Sequence, residues 1–397
     1  MMSVWSSLVG QDAAVAKLGE AAVSARAIVA SRGGARASDD ARSMSHAWLI
    51  TGPPGSGRSV AARAFAAALQ CTGEAVGCGE CAGCRTTMGR TNADVVFAAT
   101  ETSIINVETA RSLVLQAQSS PSQGLWRVIV VEDADRLGES GANALLKAIE
   151  EPPEHTVWLL CAPSPEDMIA TIRSRCRHLG LRIPTAAAVA DLLVREGVAT
   201  PEVALEAARA AQSHIGLARA LARDPQMRER RRAIITAPAS VRSVGEAVMA
   251  ADRLLETAKA QADAQVSERN AREKAELMRQ LGMEEGESAT KASRTMIRQL
   301  EEDQKRRSKR ALTDAIDRAL IDLLAIYRDV LMVQVGGDGE LINTDLSDLV
   351  HEIAQDSTPR QTLARVDHIE TARKRLVSNG NPLLVLEDMA ISLRPQA

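Results

Sequence analysis

The residues best suited to chemistry fall in two adjacent clusters. Gly52-Pro53-Pro54-Gly55-Ser56-Gly57-Arg58-Ser59 has the spacing G-x-x-x-x-G-[K]-[ST], with arginine in the lysine position. Glycines let the backbone curl so that its N–H groups point at phosphates, and a helix start just after the loop adds a favourable dipole. Ser59 would place its hydroxyl on Mg²⁺. The apolar run Ala47-Trp48-Leu49-Ile50 before the loop and the Ala-rich residues 59–69 after it supply the strand and helix that the motif needs. Arg58 changes the chemistry, because a planar guanidinium is not equivalent to a compact ammonium. The expectation is a site that binds ATP or ADP, with Mg²⁺ only alongside nucleotide, and hydrolyses poorly. The alternative is a glycine-rich turn that binds nothing.

The second cluster is Cys71-x6-Cys78-x2-Cys81-x2-Cys84. Four thiolates in fourteen residues suit a closed tetrahedral Zn²⁺ site with no open position for water, which makes the metal structural. Gly77, Gly79 and Gly83 let the chain wrap around it. An iron–sulfur cluster also takes four cysteines and is the competing reading. The remaining two cysteines are Cys161 and Cys176.

A third feature lies downstream. Val128-Ile129-Val130-Val131 reads as a buried strand and runs into Glu132-Asp133. P-loop ATPases of this layout place Asp and then Glu here, the first for Mg²⁺ and the second for the attacking water. In this chain the two are reversed. One side chain is a methylene too long and the other a methylene too short, and a displacement of about 1 Å can cost about a hundredfold in rate. The bland alternative is that both residues cap a helix or hydrate the sheet edge.

These clusters need elements to hold them. Three short apolar strands, at 47–50, 128–131 and 157–160, alternate with helical patterns at 59–69, 104–118 and 142–151, which predicts an α/β fold on a parallel sheet. Pro152-Pro153 stops the last of these helices. Residues 31–45 read as a polar surface loop, 185–235 as several short helices, and everything from about 241 onwards as helical. Residues 256–310 are highly charged and poor in large apolar side chains. They suit a solvated helical hairpin or partly disordered insertion, with a partner-binding coiled coil as the alternative. Leu320, Leu323, Leu324 and Tyr327 recur at helical spacing, as on a buried interhelical face.

Composition sets the outer limits. The chain has 397 residues, enough for two or three domains, and is 45% hydrophobic but only 2% aromatic, so aliphatic side chains must fill the core. A net charge of -3 gives no global basic field to draw the chain onto nucleic acid. No apolar run approaches ~20 residues, so no membrane partner is expected. The first residues lack the basic and apolar regions of a signal peptide, and the clustered cysteines suit metal rather than disulfides, so the expected location is cytoplasmic.

A phosphate loop followed at once by a four-cysteine knuckle resembles the gamma/tau and delta-prime group of bacterial DNA polymerase III clamp-loader subunits, which are AAA+ proteins with a zinc module in the nucleotide-binding domain. Three further segments are similar to that group. Asn143-Ala144-Leu145-Leu146-Lys147-Ala148-Ile149-Glu150-Glu151-Pro152-Pro153 looks like its helix signature, and Val9-Gly10-Gln11 resembles the segment that packs near the adenine. Ser174-Arg175-Cys176 is similar to the Ser-Arg-Cys motif, whose arginine acts on the neighbouring subunit's ATP. The resemblance covers roughly residues 8–180. It implies an AAA+ P-loop domain at 1–182 with the zinc module at 71–84, a small helical lid at 183–240, and an all-α collar at 241–397 that holds the charged insertion.

Within the group, active members keep Lys in the loop, Asp-Glu after the strand, a polar residue in the stretch that here reads Ala162-Pro163, and an arginine where Gly216 stands, with Arg219 one turn away. The losses here, beside an intact Ser174-Arg175-Cys176, are the delta-prime pattern. The resemblance therefore implies little intrinsic ATPase activity and an arginine finger, Arg175, supplied to a neighbour. It also implies gamma/tau and delta subunits as partners, with the sliding clamp and primed DNA reached through the assembled complex. Taken alone, Arg175 would suit a surface salt bridge. The competing function is a catalytically active AAA+ ATPase.

Overall fold

The computed structural model describes residues 3–31, 43–98, 105–241, 243–281 and 291–394. Most of the expected surface loop at 31–45 and residues 282–290 of the charged stretch lie outside them. The chain divides into two compact units, 1–219 and 220–397. The sequence reading instead draws boundaries at 182/183 and 240/241.

The first unit is built on five parallel strands: β1 (Ala47–Thr51), β2 (Val95–Ala98), β3 (Arg127–Val131), β4 (Thr156–Ala162) and β5 (Arg177–Gly180), in the order β2-β3-β4-β1-β5. Its helices are α1 (Asp12–Ala30), α2 (Arg58–Leu69), α3 (Ala82–Met88), α4 (Val107–Ala117), α5 (Glu139–Glu150), α6 (Ala170–Arg173), α7 (Ala186–Arg195) and α8 (Pro201–Ala210), with α9 (Ile215–Arg223) crossing the division. The three strands foreseen in the sequence are the central ones. All five residues of β1 and all seven of β4 are buried, as strands covered on both faces must be. Trp48 of β1 pairs in register with Leu159 of β4, and Ile129 of β3 with Trp158.

Two strands were not foreseen. β2 is only four residues long, and its apolar run is no longer than many loop segments. β5 is an edge strand in which only Leu179 is buried, while Arg177, His178 and Gly180 face out, so no apolar run marks it.

Alternation along the strands sends side chains into two separate cores. Trp48, Ile50, Val128, Val130, Leu159 and Cys161 pack with α1 and α2. Leu49, Ile129, Val131, Trp158, Leu160 and Ala162 pack with α4, α5 and α6 on the other face. The sequence places residues 142–151 in a helix; α5 starts three residues earlier, at Glu139, and ends at Glu150, ahead of Pro152.

The second unit is all helical: α10 (Pro225–Ser240), α11 (Val244–Gln280), α12 (Lys291–Gln334), α13 (Ser347–Gln355), α14 (Pro359–Val377) and α15 (Pro382–Ser392). Leu320, Leu323 and Tyr327 of α12 are buried and Leu324 is partly buried, packed with Val350, Ile369 and Leu386 of the same unit. Their helical spacing is thus explained by packing inside the chain.

The charged stretch is the outer part of α11 and α12. Near the bundle the two meet through Ala262, Val266 and Ala311. Farther out, polar contacts take over: Arg307 donates to Asn270 Oδ1 at 2.8 Å and pairs with Glu273 at 2.9 Å. The two helices are thus paired, with polar contacts beside the half-buried Leu277 and Leu300 along the seam. Among the described residues no helix is long and apolar enough to cross a membrane.

Candidate nucleotide and metal sites

The phosphate loop leaves the C-terminal end of β1, beside β4, where the order of the sheet turns back on itself. In open α/β sheets the crevice at such a switch point is where ligands bind. Gly55 and Gly57 both adopt φ +89°, a region that L side chains rarely enter. Gly57 is the N-cap of α2 and no side chain caps that helix, so its first N–H groups stay available to an anion. Gly55 also has no room for a Cβ, which would lie 2.9 Å from the Cα of His214. His214 follows two non-glycine residues in the left-handed region, Gln212 (φ 48°) and Ser213 (φ 63°), so a strained turn delivers the start of α9 to the loop.

The loop is tied into the domain from several sides. Gln11 is 4% exposed; its Nε2 donates to Ser56 O at 3.2 Å and to Arg182 O at 2.6 Å, and its Oε1 accepts from Arg182 N at 3.2 Å. One buried amide therefore joins the N-terminal segment, the phosphate loop and the chain after β5. Gly52 N donates to Pro163 O at 3.1 Å, linking the loop to the end of β4. Pro53 and Pro54 are exposed, and Ser59 is half-buried on the first turn of α2. Val9 is buried and Gly10 exposed; Gly10 lies against Pro184, and the contact with the loop is made by the next residue, Gln11.

Three side chains set the chemistry around this loop. Arg58 turns back and donates to Gly52 O at 2.5 Å, so its guanidinium closes on the loop that a phosphate would enter. Ser56 Oγ, by contrast, is buried with no hydrogen-bond partner, leaving an unsatisfied polar atom in that loop. Glu132 is ion-paired with Arg90 and its side chain is only 13% exposed. Arg90 stands just beyond α3 in a left-handed conformation (φ 59°), its guanidinium 5.0 Å from the centroid of the Phe97 ring. Arg63 of α2 lies near the same pair; burial, and then Arg90, hold its pKa below the usual guanidinium value.

Around the end of β3, Asp135 is shifted upward by burial and by the charge of Asp133, against Arg136 and Arg58. Cys161 is pushed up to about 12 by burial and by Glu132, so it is a neutral thiol. Ala162 and Pro163 offer no side-chain polar group to the pocket. Arg219 does not reach it either: it is held by Glu196 through Nε at 2.9 Å and Nη2 at 2.8 Å.

Ser174, Arg175 and Cys176 lie at the end of α6, ahead of β5. Arg175 is ion-paired with Glu150 of α5, and its Nη1 donates to Thr171 O at 2.8 Å and Ser174 Oγ at 3.3 Å. Both partners of the ion pair are well exposed, at 38% and 39%. Burial pushes Cys176 up to about 12, so it too is a neutral thiol.

The four knuckle cysteines converge. Their sulfurs all lie within 4.8 Å of one another, with Cys71–Cys78 at 3.7 Å, Cys71–Cys81 at 3.9 Å and Cys78–Cys84 at 4.0 Å. Tetrahedral Zn–S bonds of about 2.3 Å put sulfurs about 3.8 Å apart, so the cage has the dimensions of a zinc site. Backbone N–H groups of Glu80 and Cys81 point at Cys78 Sγ, and those of Thr72 and Cys84 at Cys81 Sγ, all at 3.4 Å. These donors form the outer shell that the flanking sequence did not reveal. Burial would raise the Cys81 thiol, but donation from Cys84 and Thr72 outweighs it and brings the thiol to about 6. Gly83 is required by space: a Cβ there would lie 2.0 Å from Gln70 O.

Sequence reasoning missed Arg90, Arg63, His214, Gln70 and Asp94. Asp94 is wholly buried and accepts from Ser122 N at 2.6 Å, Ser122 Oγ at 2.9 Å, Gln123 N at 2.8 Å and Gly124 N at 2.6 Å. Gln70, just past α2, donates to Trp126 O at 2.5 Å and accepts from Leu125 N at 2.9 Å. Neither belongs to a motif; each pairs with residues 28 to 56 positions away.

Residues 36–185 match a protein-family model described as DNA polymerase III, delta subunit. The DNA polymerase III subunit gamma/tau of Mycobacterium tuberculosis is 35% identical over 159 residues, which cover 39% of this chain and 28% of that protein. The subunit delta' of Pseudomonas aeruginosa is 36% identical over 165 residues, 41% of this chain and 50% of that protein. The matched segments thus span at most half of these two relatives. Subunits of both kinds match to a like degree, so identity does not choose between them. Among solved structures, a gamma subunit-related protein of Thermotoga maritima is similar over 87% of this chain and 93% of its own, at 16% identity and a TM-score of 0.40.

Proposed function

We propose that this chain is a clamp-loader subunit of bacterial DNA polymerase III, of the delta-prime type, and acts in DNA replication by helping to load the sliding clamp onto primed DNA. Its partners in this reading are the gamma/tau and delta subunits. The matched segment supports the clamp-loader group, and the chemistry of the site favours delta-prime within it. Residues 1–182 act as the AAA+ domain with its zinc module, 183–240 as the lid and 241–397 as the collar, in the cytoplasm.

One contrast carries the choice of type. Groups that would serve the chain's own ATP are engaged by other partners: Arg58 by Gly52 O, the largely buried Glu132 carboxylate by Arg90, and Arg219, in a partly exposed pair, by Glu196. Arg175 is instead at the surface, held by an exposed ion pair that solvent weakens. A guanidinium offered to a neighbour's γ-phosphate neutralises charge as the phosphoryl group transfers, an effect of roughly 10³–10⁵ in rate in other systems. The chain's own pocket then needs only to bind ATP or ADP.

Mixing the chain with candidate gamma/tau and delta subunits and weighing the product tests the assembly. Arg175→Ala in the assembled complex should lower its ATPase rate without preventing assembly. A chain that hydrolyses ATP by itself at the rate of the complex would instead establish the competing reading, an active AAA+ ATPase.

A further inference from the structure

The cysteine cage and the phosphate loop are joined by a continuous set of contacts through the N-terminal residues. Val4 N donates to Gly77 O at 3.0 Å, inside the cage loop. Gly77 has φ +78°, and a Cβ there would lie 2.8 Å from Trp5 Nε1 and 2.9 Å from Val4 Cγ2, so the cage loop and residues 4–5 are in close contact. Val4 is 3% exposed. Seven residues later Gln11, equally buried, holds Ser56 O and Arg182 O.

Two further ties run the same way. Arg26 of α1, the helix that follows Gln11, donates to Cys71 O and Glu74 O, both at 2.9 Å. Just past α3 of the cysteine module, Arg90 reaches Glu132 at the end of β3. The backbone at Cys71, Glu74 and Gly77 is therefore a platform on which the N-terminal segment rests. Its shape depends on four sulfurs being drawn to one point: the sulfurs stand 3.7–4.0 Å apart, and a shared cation is what would bond them to one another.

We propose that the metal held by Cys71, Cys78, Cys81 and Cys84 positions the nucleotide pocket. It fixes Gly77 against Val4 and Trp5, and the segment anchored there keeps Gln11 on Ser56 of the phosphate loop. Nucleotide then binds more tightly to the metal-loaded chain than to the metal-free one. By linkage, bound nucleotide tightens the hold on the metal by the same factor. Trp5 and Gln11 are positioning residues: they act on the nucleotide through the loop. The affinity part of the proposal rests on the reading that the loop binds nucleotide; the ordering of residues 4–11 by the cage does not.

The test uses the full-length chain, with zinc content measured by release to a colorimetric chelator. Hydrogen exchange compares zinc-loaded protein, chelator-stripped protein and Trp5→Ala, which keeps all four cysteines. Stripping should speed exchange at residues 4–11 and 52–57. Trp5→Ala should do the same while retaining one equivalent of zinc, and it keeps the test valid if the stripped protein unfolds. ADP titration should then show affinity about tenfold weaker in both altered forms, within the usual range of coupling between sites, and ADP should slow zinc release from the unaltered chain.

Unchanged exchange at 4–11 and 52–57 in Trp5→Ala overturns the proposal whatever the nucleotide does. Altered exchange with equal ADP affinity in all three forms overturns the coupling. Altered exchange with no ADP binding in any form overturns the coupling together with the nucleotide reading of the loop, and leaves the clamp-loader assignment standing.

Discussion

Glu132 and Arg90 form an ion pair at the C-terminal end of β3, bringing together a residue of the acidic strand end and one just past the cysteine module. The pair has a direct consequence for chemistry. The Glu132 carboxylate at the end of β3 is already paired with a guanidinium of its own chain. It is also a test of how the two modules are joined. Arg90→Met should destabilise the chain by about 1 kcal/mol, since the partner carboxylate is mostly buried yet Arg63 stands close enough to compensate in part. Combined with Glu132→Gln, the two losses should be less than additive in urea unfolding. Simple additivity would show that the pair contributes nothing.

Asp94 makes stability depend on pH. Burial opposes its ionisation, but donation from Ser122, Gln123 and Gly124 outweighs this and lowers its pKa in the folded chain. The sign follows: a depressed carboxylate stabilises fully above its unfolded value, about 3.9, and that contribution is lost as pH falls through the lower folded value. Asp94→Asn should cost about 3 kcal/mol at pH 7, because buried N–H donors lose a charged acceptor. Urea titrations of both proteins should converge as pH falls below about 4. A gap that stays constant down to pH 2 would assign the loss to packing.

Metal analysis separates the two readings of the cysteines. Purified chain should be colourless and carry one equivalent of zinc. Cys78→Ser should lower the thermal midpoint as well as the zinc content, because the free energy of a structural metal is folding free energy. A brown protein containing iron and labile sulfide would establish the cluster instead.

Arg175 should matter little to the isolated chain. Its ion pair with Glu150 joins two exposed side chains, so Arg175→Ala and Glu150→Ala should each change stability by less than about 1 kcal/mol. In the assembled complex their effects should part: the first should remove most of the stimulated ATP hydrolysis, and the second should leave it at or above the unaltered rate, because it frees the guanidinium. A large loss of stability in Arg175→Ala would mean that the residue is structural.

Sequence alone determined the parts whose signal is local. A loop that must curl around a phosphate needs glycine at fixed offsets, a tetrahedral metal needs four sulfurs close in the chain, and a strand buried on both faces needs an unbroken apolar run. Each is written within about fifteen residues: β1, β3 and β4 lie where the sequence puts them, the glycine-rich loop follows β1, and the four cysteines converge. β5 was hidden because an edge strand buries only Leu179, and β2 because four residues are too short a pattern.

Only the tertiary structure decided which side chains answer one another. Glu132 finds Arg90 42 residues away, Gln11 finds Arg182 171 residues away, and Arg219 finds Glu196 rather than the pocket. A charge or an amide carries no mark of its partner in sequence; the partner is chosen by which strands and turns the sheet brings to its C-terminal edge. Arg58, Glu132 and Arg219 stood out by their types and positions. That Arg58 closes on Gly52 O, Glu132 on Arg90 and Arg219 on Glu196, and that Trp5 meets the cysteine loop while Gln11 meets Ser56, follows from contacts that exist only once the sheet has assembled.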